Sequence, residues 1–324
     1  MIFVLQTSKP HYRLRSYADL VRRFPFHYNK VLFYGPMYDG MKDAPPHIIP
    51  FFHPGMSLRD VIDKYVGEEP EAIWLFSSSA LSKVGRTDFK QFKAPLFLLF
   101  TDAVSWDDER LAAMKLHDMK PFKAVFHNYL YKLDDLKSAL LSEKYIHYPC
   151  WSAHCYDFES NPSSKNLEFL ISGVPGGAEY THRDIFAAAA KRRGLSVQNQ
   201  LGQRTNEAED NERFRLDLLR SKYSPHDGGI NGRLVPRYAE SCFARSVILS
   251  PDLGEEMRSG GFENGKNCLL FDRGKYSTPD SCRRLLEETA ARRDWHTLAD
   301  NAYDLAKTRH CTDVRIRKFL ETAL

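Results

Sequence analysis

The arrangement of apolar residues constrains the fold of this chain more than any other feature. Short, continuous apolar runs alternate with stretches whose apolar residues recur at helical spacing, such as LRDVIDKYV (58–66). In the first half the runs predict strands at Ile2–Gln6, Val31–Tyr34, Ala72–Phe76, Leu96–Phe100, Ala124–Phe126 and Tyr145–Tyr148. Uninterrupted apolar strands between amphipathic helices indicate a parallel sheet that helices cover on both faces.

The second half of the chain repeats this alternation after a polar stretch that contains proline. The segment 159–166 (ESNPSSKN) is typical of a linker, and it separates domains at 1–158 and 167–324. A chain of 324 residues is long enough for two such domains. We therefore predict an α/β protein of two Rossmann-like, doubly wound domains that face a central cleft. Ligands of such sheets lie beyond the carboxyl ends of the strands.

Composition and simple motifs argue against several classes of protein. The 46 Lys and Arg residues against 42 Asp and Glu residues leave a net charge of +4, which gives no case for a nucleic-acid-binding module. The six cysteines lack zinc-ligand spacing and no HExxH motif occurs, so no metal site is expected. The apolar run Ala94–Phe100 is far shorter than a membrane span, and the N-terminus has no signal-peptide core. We expect a soluble, cytoplasmic protein with reduced thiols.

Two glycine-rich loops follow predicted strands of the second domain. ISGVPGG (171–177) leads from a strand into a helix that carries Arg183, and Gly173 would let the backbone approach a phosphate. SKYSPHDGGINGR (221–233) groups three glycines around His226, where a diphosphate could also be held. An ordinary strand-to-helix turn and a flexible surface loop are the respective alternatives.

The stretch GRLVPRYAESCFARSVILS (232–250) predicts a helix followed by a strand. Pro236 suits the first turn of a helix, where no backbone N–H is needed, so Arg233 is expected in the preceding loop. Arg237 and Glu240 are three residues apart and therefore share one helix face. A surface ion pair at this spacing contributes only about 0.3–0.5 kcal/mol, so stability gives little reason for it. The position between a glycine-rich loop and a core strand favours a binding role.

Two polar residues follow strands of the first domain. Asp102 stands just beyond the strand Leu96–Phe100, where a general base or an acceptor ligand would lie. An aspartate that caps a turn is an equal alternative. His11 follows the first strand in the same way, and a loop histidine without a role is its alternative. Both remain candidate catalytic bases.

The second half resembles the C-terminal domain of GT-B glycosyltransferases, especially the "glycosyl transferases group 1" domain found in CgeB-like proteins. The resemblance runs from about Glu168 to Leu324 and depends on the order of four segments. They are FLISG with Arg183 after it, PRYAESCFARSVILS, GGFENGKNCLLFD and AKTRHCTDVRIRKFLETAL. In the first half, YIHYPCWSAHCYDF is similar to the end of the N-terminal domain in such proteins.

The resemblance implies a transferase that needs neither metal nor cofactor and takes its sugar from a nucleotide-sugar, such as a UDP-sugar, in the interdomain cleft. Glu240 matches the family's glutamate that binds the ribose hydroxyls. Arg237, with Arg183, Lys222 and Arg233, would contact the diphosphate or the nucleotide. The acceptor is not specified and could be a glycan, a protein or a modified DNA base.

Two positions depart from the pattern of that family. Gly232 stands where retaining relatives carry a second glutamate, and Arg245 stands where a glycine is usual after the helix. An enzyme that inverts the anomeric configuration would need a base from the first domain, a role for His11 or Asp102. The alternatives are a phage-type DNA-base glycosyltransferase, which would need a basic, aromatic groove, and an inactive GT-B module that binds a nucleotide or a partner.

Overall fold

The computed structural model describes residues 1–6, 18–76, 78–100, 114–127, 130, 133–148, 158, 164–173, 181–190, 196–201, 208–228 and 232–324. The chain divides into two units. Unit 1 contains Met1–Tyr148 together with Arg315–Leu324, and unit 2 contains Pro149–Val314. The predicted linker at 159–166 is described only from residue 164 onward, so the predicted domain boundary stays a prediction.

Unit 1 contains a six-stranded parallel sheet with the strand order β2-β1-β3-β4-β5-β6. The strands are β1 (Ile2–Gln6), β2 (Val31–Tyr34), β3 (Ala72–Phe76), β4 (Leu96–Phe100), β5 (Ala124–His127) and β6 (Tyr145–His147). Its described helices include α1 (Ala18–His27), α2 (Leu58–Tyr65) and α3 (Leu133–Ala139). Each strand begins and ends within one residue of the predicted apolar run, which confirms the prediction for this sheet.

The core of unit 1 explains why its strands are apolar throughout. Trp74 of β3 stacks on Phe97 of β4 with ring centroids 4.6 Å apart, and Phe319 of the C-terminal helix lies 4.9 Å from Trp74. The next residues along these strands, Leu75 and Leu98, belong to a separate core cluster that includes residues of α2. Because successive side chains of a strand point to opposite faces, both faces of this sheet are covered.

Unit 2 contains a five-stranded parallel sheet with the strand order β11-β10-β9-β7-β8. The strands are β7 (Leu167–Gly173), β8 (Val197–Leu201), β9 (Ser221–Pro225), β10 (Val247–Pro251) and β11 (Leu269–Phe271). The helices are α4 (Thr181–Ala190), α5 (Ala208–Arg220), α6 (Pro236–Phe243), α7 (Glu255–Gly260), α8 (Pro279–Ala290), α9 (Trp295–Leu305) and α10 (Thr312–Ala323). Helix α10 contributes its residues from Arg315 onward to unit 1. None of the helices in the described ranges is long and apolar enough to cross a membrane.

The sheet of unit 2 is also covered on both faces. Leu170 of β7 and Ile248 of β10 pack in one core cluster. Their sequence neighbours Phe169 and Leu249 pack in another. The chain crosses from β8 on one side of β7 to β9 on the other side. The connections that leave β7 and β9 therefore run in opposite directions, and such a reversal opens a crevice at the carboxyl ends of the two strands.

Helix α6 begins and ends at residues with special backbone requirements. Pro236 occupies its first position, as predicted, because no N–H is needed there. Arg245, just beyond its last turn, has a φ of +50°, a left-handed conformation that favours glycine. The Arg245 guanidinium pairs with Asp300 and lies 4.0 Å from the centroid of the Tyr303 ring. These contacts hold an arginine at a position where the resembled family carries a glycine.

Candidate functional site

The candidate site lies at the carboxyl ends of β7 and β9. Strand β7 ends at Gly173, and His226 and Asp227 follow the last residue of β9. Helix α4 comes after β7 and helix α6 after β9, so both helices begin at this edge of the sheet. The N-terminus of a helix carries unpaired N–H groups and a partial positive charge, which favours anions.

Arg183 and Asp227 join the two sides of the crevice. The Nε atom of Arg183, on α4, lies 3.4 Å from Oδ1 of Asp227. The aspartate side chain is 2% exposed and the arginine side chain 14% exposed. A buried ion pair of this kind adds little net stability because both charges lose water. Its effect is to hold the guanidinium group in one place.

Gly173 is needed at the end of β7 for a steric reason. Its φ is +137°, and a Cβ atom placed there would lie 2.5 Å from Nη1 of Arg183. Any side chain would therefore displace the guanidinium group. The predicted role of Gly173, close approach of the backbone to a phosphate, stays a prediction, but the structure adds that this glycine makes room for Arg183.

Arg237 connects α6 to the end of β7. Its Nη1 atom donates a hydrogen bond to the Ser172 hydroxyl over 3.0 Å, and the guanidinium lies 5.2 Å from the centroid of the Phe214 ring. Since Ser172 precedes Gly173, Arg237 and Arg183 are held against consecutive residues of one strand. This arrangement concentrates positive charge in the crevice.

Glu240 lies one helical turn after Arg237 and is 6% exposed. Its Oε2 atom is buried and has no hydrogen-bond partner within the part of the chain that the structure describes. A buried acceptor without a partner costs about 1–3 kcal/mol, so such atoms are usually matched by a ligand or by water. Glu240 thus offers an acceptor for hydroxyl donors next to the arginines.

His226 is buried among residues of unit 2. Its Nε2 atom lies 3.2 Å from the Ser224 hydroxyl and 3.0 Å from the Ser241 hydroxyl, and its ring stacks on Tyr238 at 4.6 Å. Burial, together with the charges of Arg237 and Arg183, lowers the pKa of His226 well below its usual value. The ring is therefore neutral at pH 7, and it packs α6 against the end of β9.

The structure places Arg233 and Lys222 differently from each other. Arg233 is buried, and its backbone N–H donates to the Gly228 carbonyl oxygen over 2.9 Å, close to Asp227. Lys222 is the second residue of β9 and therefore lies about 10 Å from the carboxyl end of that strand. Its Nζ atom is 5.7 Å from the centroid of the Trp295 ring. The structure thus brings the backbone of Arg233 next to Asp227, whereas it places Lys222 away from this end of the sheet.

Two charged members of the site, Asp227 and Arg273, were not predicted. Arg273 follows β11 by two residues, and its Nη2 atom donates a hydrogen bond to the backbone oxygen of Asp227. The signal that singled out Asp102, a polar residue just beyond an apolar strand, also applies to LLFDR and could have identified Arg273. We use the name arginine cluster for four arginines and the two acidic residues beside them. Its members are Arg183, Asp227, Arg233, Arg237, Glu240 and Arg273.

Several predictions fall outside the described residues. His11 and Asp102 are among them, so their roles as candidate bases stay predictions. The same holds for most of KPHYRLRSYADLVRRF (9–24), one of two stretches in the first half whose basic and aromatic residues hint at a nucleic-acid groove. Within the described ranges, no group of three His, Cys, Asp or Glu residues could hold a metal ion.

Comparison with solved structures identifies the architecture. HepE from Anabaena, solved with UDP and glucose, is 15% identical, and the match covers 99% of this chain and 98% of HepE with a TM-score of 0.60. HepE solved with UDP-glucose matches at 13% identity, with 99% of each chain covered and a TM-score of 0.56. Sucrose-phosphate synthase from Thermosynechococcus elongatus is 11% identical, with coverage of 99% and 97% and a TM-score of 0.56.

These structures are GT-B glycosyltransferases, and this chain has the same fold, as predicted. No protein-family model and no curated protein matches the sequence.

Proposed function

We propose that this protein is a glycosyltransferase that uses a nucleotide-sugar donor, and that the arginine cluster of unit 2 binds the nucleotide part of the donor. One observation carries the proposal. A buried oxygen of Glu240, which has no hydrogen-bond partner among the described residues, lies one helical turn from an arginine at the switch point of a Rossmann-like sheet. A nucleoside diphosphate needs an acceptor for its ribose hydroxyls and cations for its phosphates, and these residues offer both.

Glu240 is suited to the ribose of the donor. A carboxylate accepts hydrogen bonds through both oxygens, and the 2′ and 3′ hydroxyls of ribose are two adjacent donors. Hydrogen bonds to a charged group contribute about 1.5–3 kcal/mol, more than those between neutral groups. The family resemblance assigns the same role to this position.

The arginines are suited to the diphosphate. When the bond between sugar and phosphate breaks, negative charge develops on the nucleoside diphosphate that leaves. Cations and helix N-termini that are fixed before the reaction stabilise this charge without reorganising during it. Arg183 and Arg237 are both anchored, at Asp227 and Ser172 respectively, before any ligand is bound. We include Arg233 and Arg273 in this group and leave out Lys222.

The donor is proposed to be a UDP-sugar, because HepE, with the same fold and almost the same length, was solved with UDP and with UDP-glucose. We propose that transfer needs no metal, with the cations of the cluster in place of one. His11 and Asp102 remain the proposed bases for an acceptor hydroxyl. The finer relation to CgeB-like proteins rests on the four sequence segments alone.

A thermal unfolding screen tests the proposed function. UDP-, GDP- and ADP-glucose are added to the wild-type protein with and without Mg²⁺, and we expect UDP-glucose to raise Tm without the metal. Glu240→Ala should abolish this rise, whereas Glu263→Gln, at an exposed glutamate paired with Lys266, should keep it. If none of the three nucleotide-sugars raises Tm, the proposal is wrong.

A further inference from the structure

We infer that Asp227 is a positioning residue for the arginines that bind the diphosphate. The inference rests on the proposed function and adds a residue that acts on the diphosphate through the arginines. Asp227 and the following Gly228 contact three of the four arginines in the cluster. The aspartate carboxylate pairs with Arg183, its backbone oxygen accepts from Arg273, and the Gly228 oxygen accepts from the backbone of Arg233.

The Arg183 guanidinium is restrained from two sides. Its Nε edge lies against the Asp227 carboxylate at 3.4 Å, and its Nη1 atom occupies the space where Gly173 lacks a Cβ. An arginine side chain in solution samples many rotamers, and ordering it on ligand binding reduces affinity. Because the carboxylate orders Arg183 in advance, a phosphate meets a guanidinium that is already in position.

The backbone at Asp227 is as constrained as its side chain. Gly228 has a φ of +65°, and a Cβ there would lie 2.6 Å from the Leu253 side chain. Only glycine suits this turn, and the turn aims the Asp227 and Gly228 carbonyl oxygens toward Arg273 and the Arg233 backbone. The dipeptide therefore orients residues from three separate segments of unit 2.

A carboxylate beside an anion site has two opposite electrostatic consequences, and they can be separated by experiment. As a mere negative charge, Asp227 would repel the diphosphate, so that removing the charge would tighten binding. As a positioning residue, it orders the cations that bind the diphosphate, so that removing the charge would weaken binding. The buried ion pair with Arg183 favours the second consequence, because a charge at 3.4 Å is already neutralised in part by its partner.

The test compares the binding of UDP, UMP and inorganic pyrophosphate by calorimetry. Asp227→Asn should weaken UDP and pyrophosphate about ten-fold, the loss expected for one charge-assisted contact, and change UMP about two-fold or less. The matched control is Asp304→Asn, which removes an exposed carboxylate elsewhere in unit 2 and should change none of the three. UDP binding by Asp227→Asn that equals or exceeds the wild type would overturn the inference.

A second variant keeps the inference testable if Asp227→Asn folds poorly, which its thermal unfolding reveals. Arg183→Lys retains the positive charge but lacks the Nε atom that meets Asp227. It should reproduce the loss of UDP and pyrophosphate affinity, and adding Asp227→Asn to it should cost little more, about two-fold or less. If the affinity loss of the double variant equals the product of the two single losses, Asp227 does not act through Arg183.

The two proposals fail in different ways. If the wild type binds pyrophosphate but neither UDP nor UDP-glucose, the proposed function is wrong, and the effect of Asp227→Asn on pyrophosphate still decides the inference. If the wild type binds UDP and Asp227→Asn binds it equally well, only the inference is wrong. A wild type that binds neither UDP nor pyrophosphate overturns both.

Discussion

Arg237 donates a hydrogen bond to the Ser172 hydroxyl over 3.0 Å, and this contact joins the first turn of α6 to the carboxyl end of β7. Ser172 lies in β7 and Arg237 in the helix that follows β9, and the connections that leave these two strands run in opposite directions. The guanidinium is thereby held in the crevice where a Rossmann-like sheet binds its ligands.

Removing this arginine should weaken nucleotide binding. We expect Arg237→Ala to reduce UDP affinity about ten-fold or more, because a charge-assisted hydrogen bond contributes about 1.5–3 kcal/mol. Ser172→Ala should have a smaller effect, about two- to five-fold, since the charge remains but loses its anchor. Calorimetric titration with UDP measures both. Arg258→Ala, at an exposed arginine paired with Glu255, is the control, and an equal loss there would remove Arg237 from the site.

Glu240→Gln separates ribose recognition from stability. The amide keeps the size of the side chain but presents only one acceptor oxygen, so UDP affinity should fall. The preference for UDP over 2′,3′-dideoxy-UDP, measured by competition, should shrink about ten-fold. The free energy of unfolding should change by about 1 kcal/mol or less, because the amide replaces one buried polar group that has no partner among the described residues with another. An unchanged preference would mean that Glu240 does not contact the ribose.

Arg245 allows a test of backbone strain that does not involve the ligand. Arg245→Ala loses the contacts with Asp300 and Tyr303 and keeps a side chain at a φ of +50°, whereas Arg245→Gly loses the contacts but relieves the strain. We therefore expect the glycine variant to be more stable than the alanine variant by about 1 kcal/mol in urea unfolding. Both should bind UDP like the wild type. An alanine variant of equal or greater stability would contradict this explanation.

We expect the buried Lys165 to make the free energy of unfolding rise with pH. Its Nζ atom donates to the carbonyl oxygens of Leu219, over 2.6 Å, and of Ala244, at the ends of α5 and α6. Burial, and then the charge of Arg245, lowers the pKa of Lys165 from 10.5 to about 7. Between these two values the folded state binds fewer protons than the unfolded state, so the lysine opposes folding less as the pH rises.

The pH effect is measured as a difference between two proteins. The free energy of unfolding of the wild type, minus that of Lys165→Met, should increase between about pH 7 and about pH 10. The slope is at most about 1.4 kcal/mol per pH unit, the limit for one proton. Below about pH 7 the difference should be constant. A difference that falls as the pH rises would show that the protonated amine is favoured in the fold.

The strands of unit 1 and the start of α6 could be predicted from the sequence, whereas the polar strand β9 and the pairing of charges in the site could not. Continuous apolar runs are typical of strands that are buried on both faces, and Pro236 marks a first helical turn whatever surrounds it. The Arg183–Asp227 pair depends instead on β9 lying next to β7, although β8 comes between them in sequence. Nothing in either loop specifies that neighbour.

Two other residues show the limits of reasoning from position along the chain. Lys222 is close in sequence to the glycine-rich loop, but it lies at the other end of β9, which only the bounds of the strand reveal. Arg245 stands at a glycine position because side-chain contacts with Asp300 and Tyr303 hold its left-handed backbone, and those partners are on a different helix.

Calorimetric titration of UDP into the wild type, Glu240→Ala and Lys222→Ala, without divalent metal, tests the central claim most directly. The structure predicts one saturable site per chain in the wild type and the same affinity in Lys222→Ala, because that lysine lies away from the crevice. Glu240→Ala should bind at least about ten-fold more weakly. No saturable binding by the wild type, or a loss in Lys222→Ala that equals the loss in Glu240→Ala, would contradict the claim.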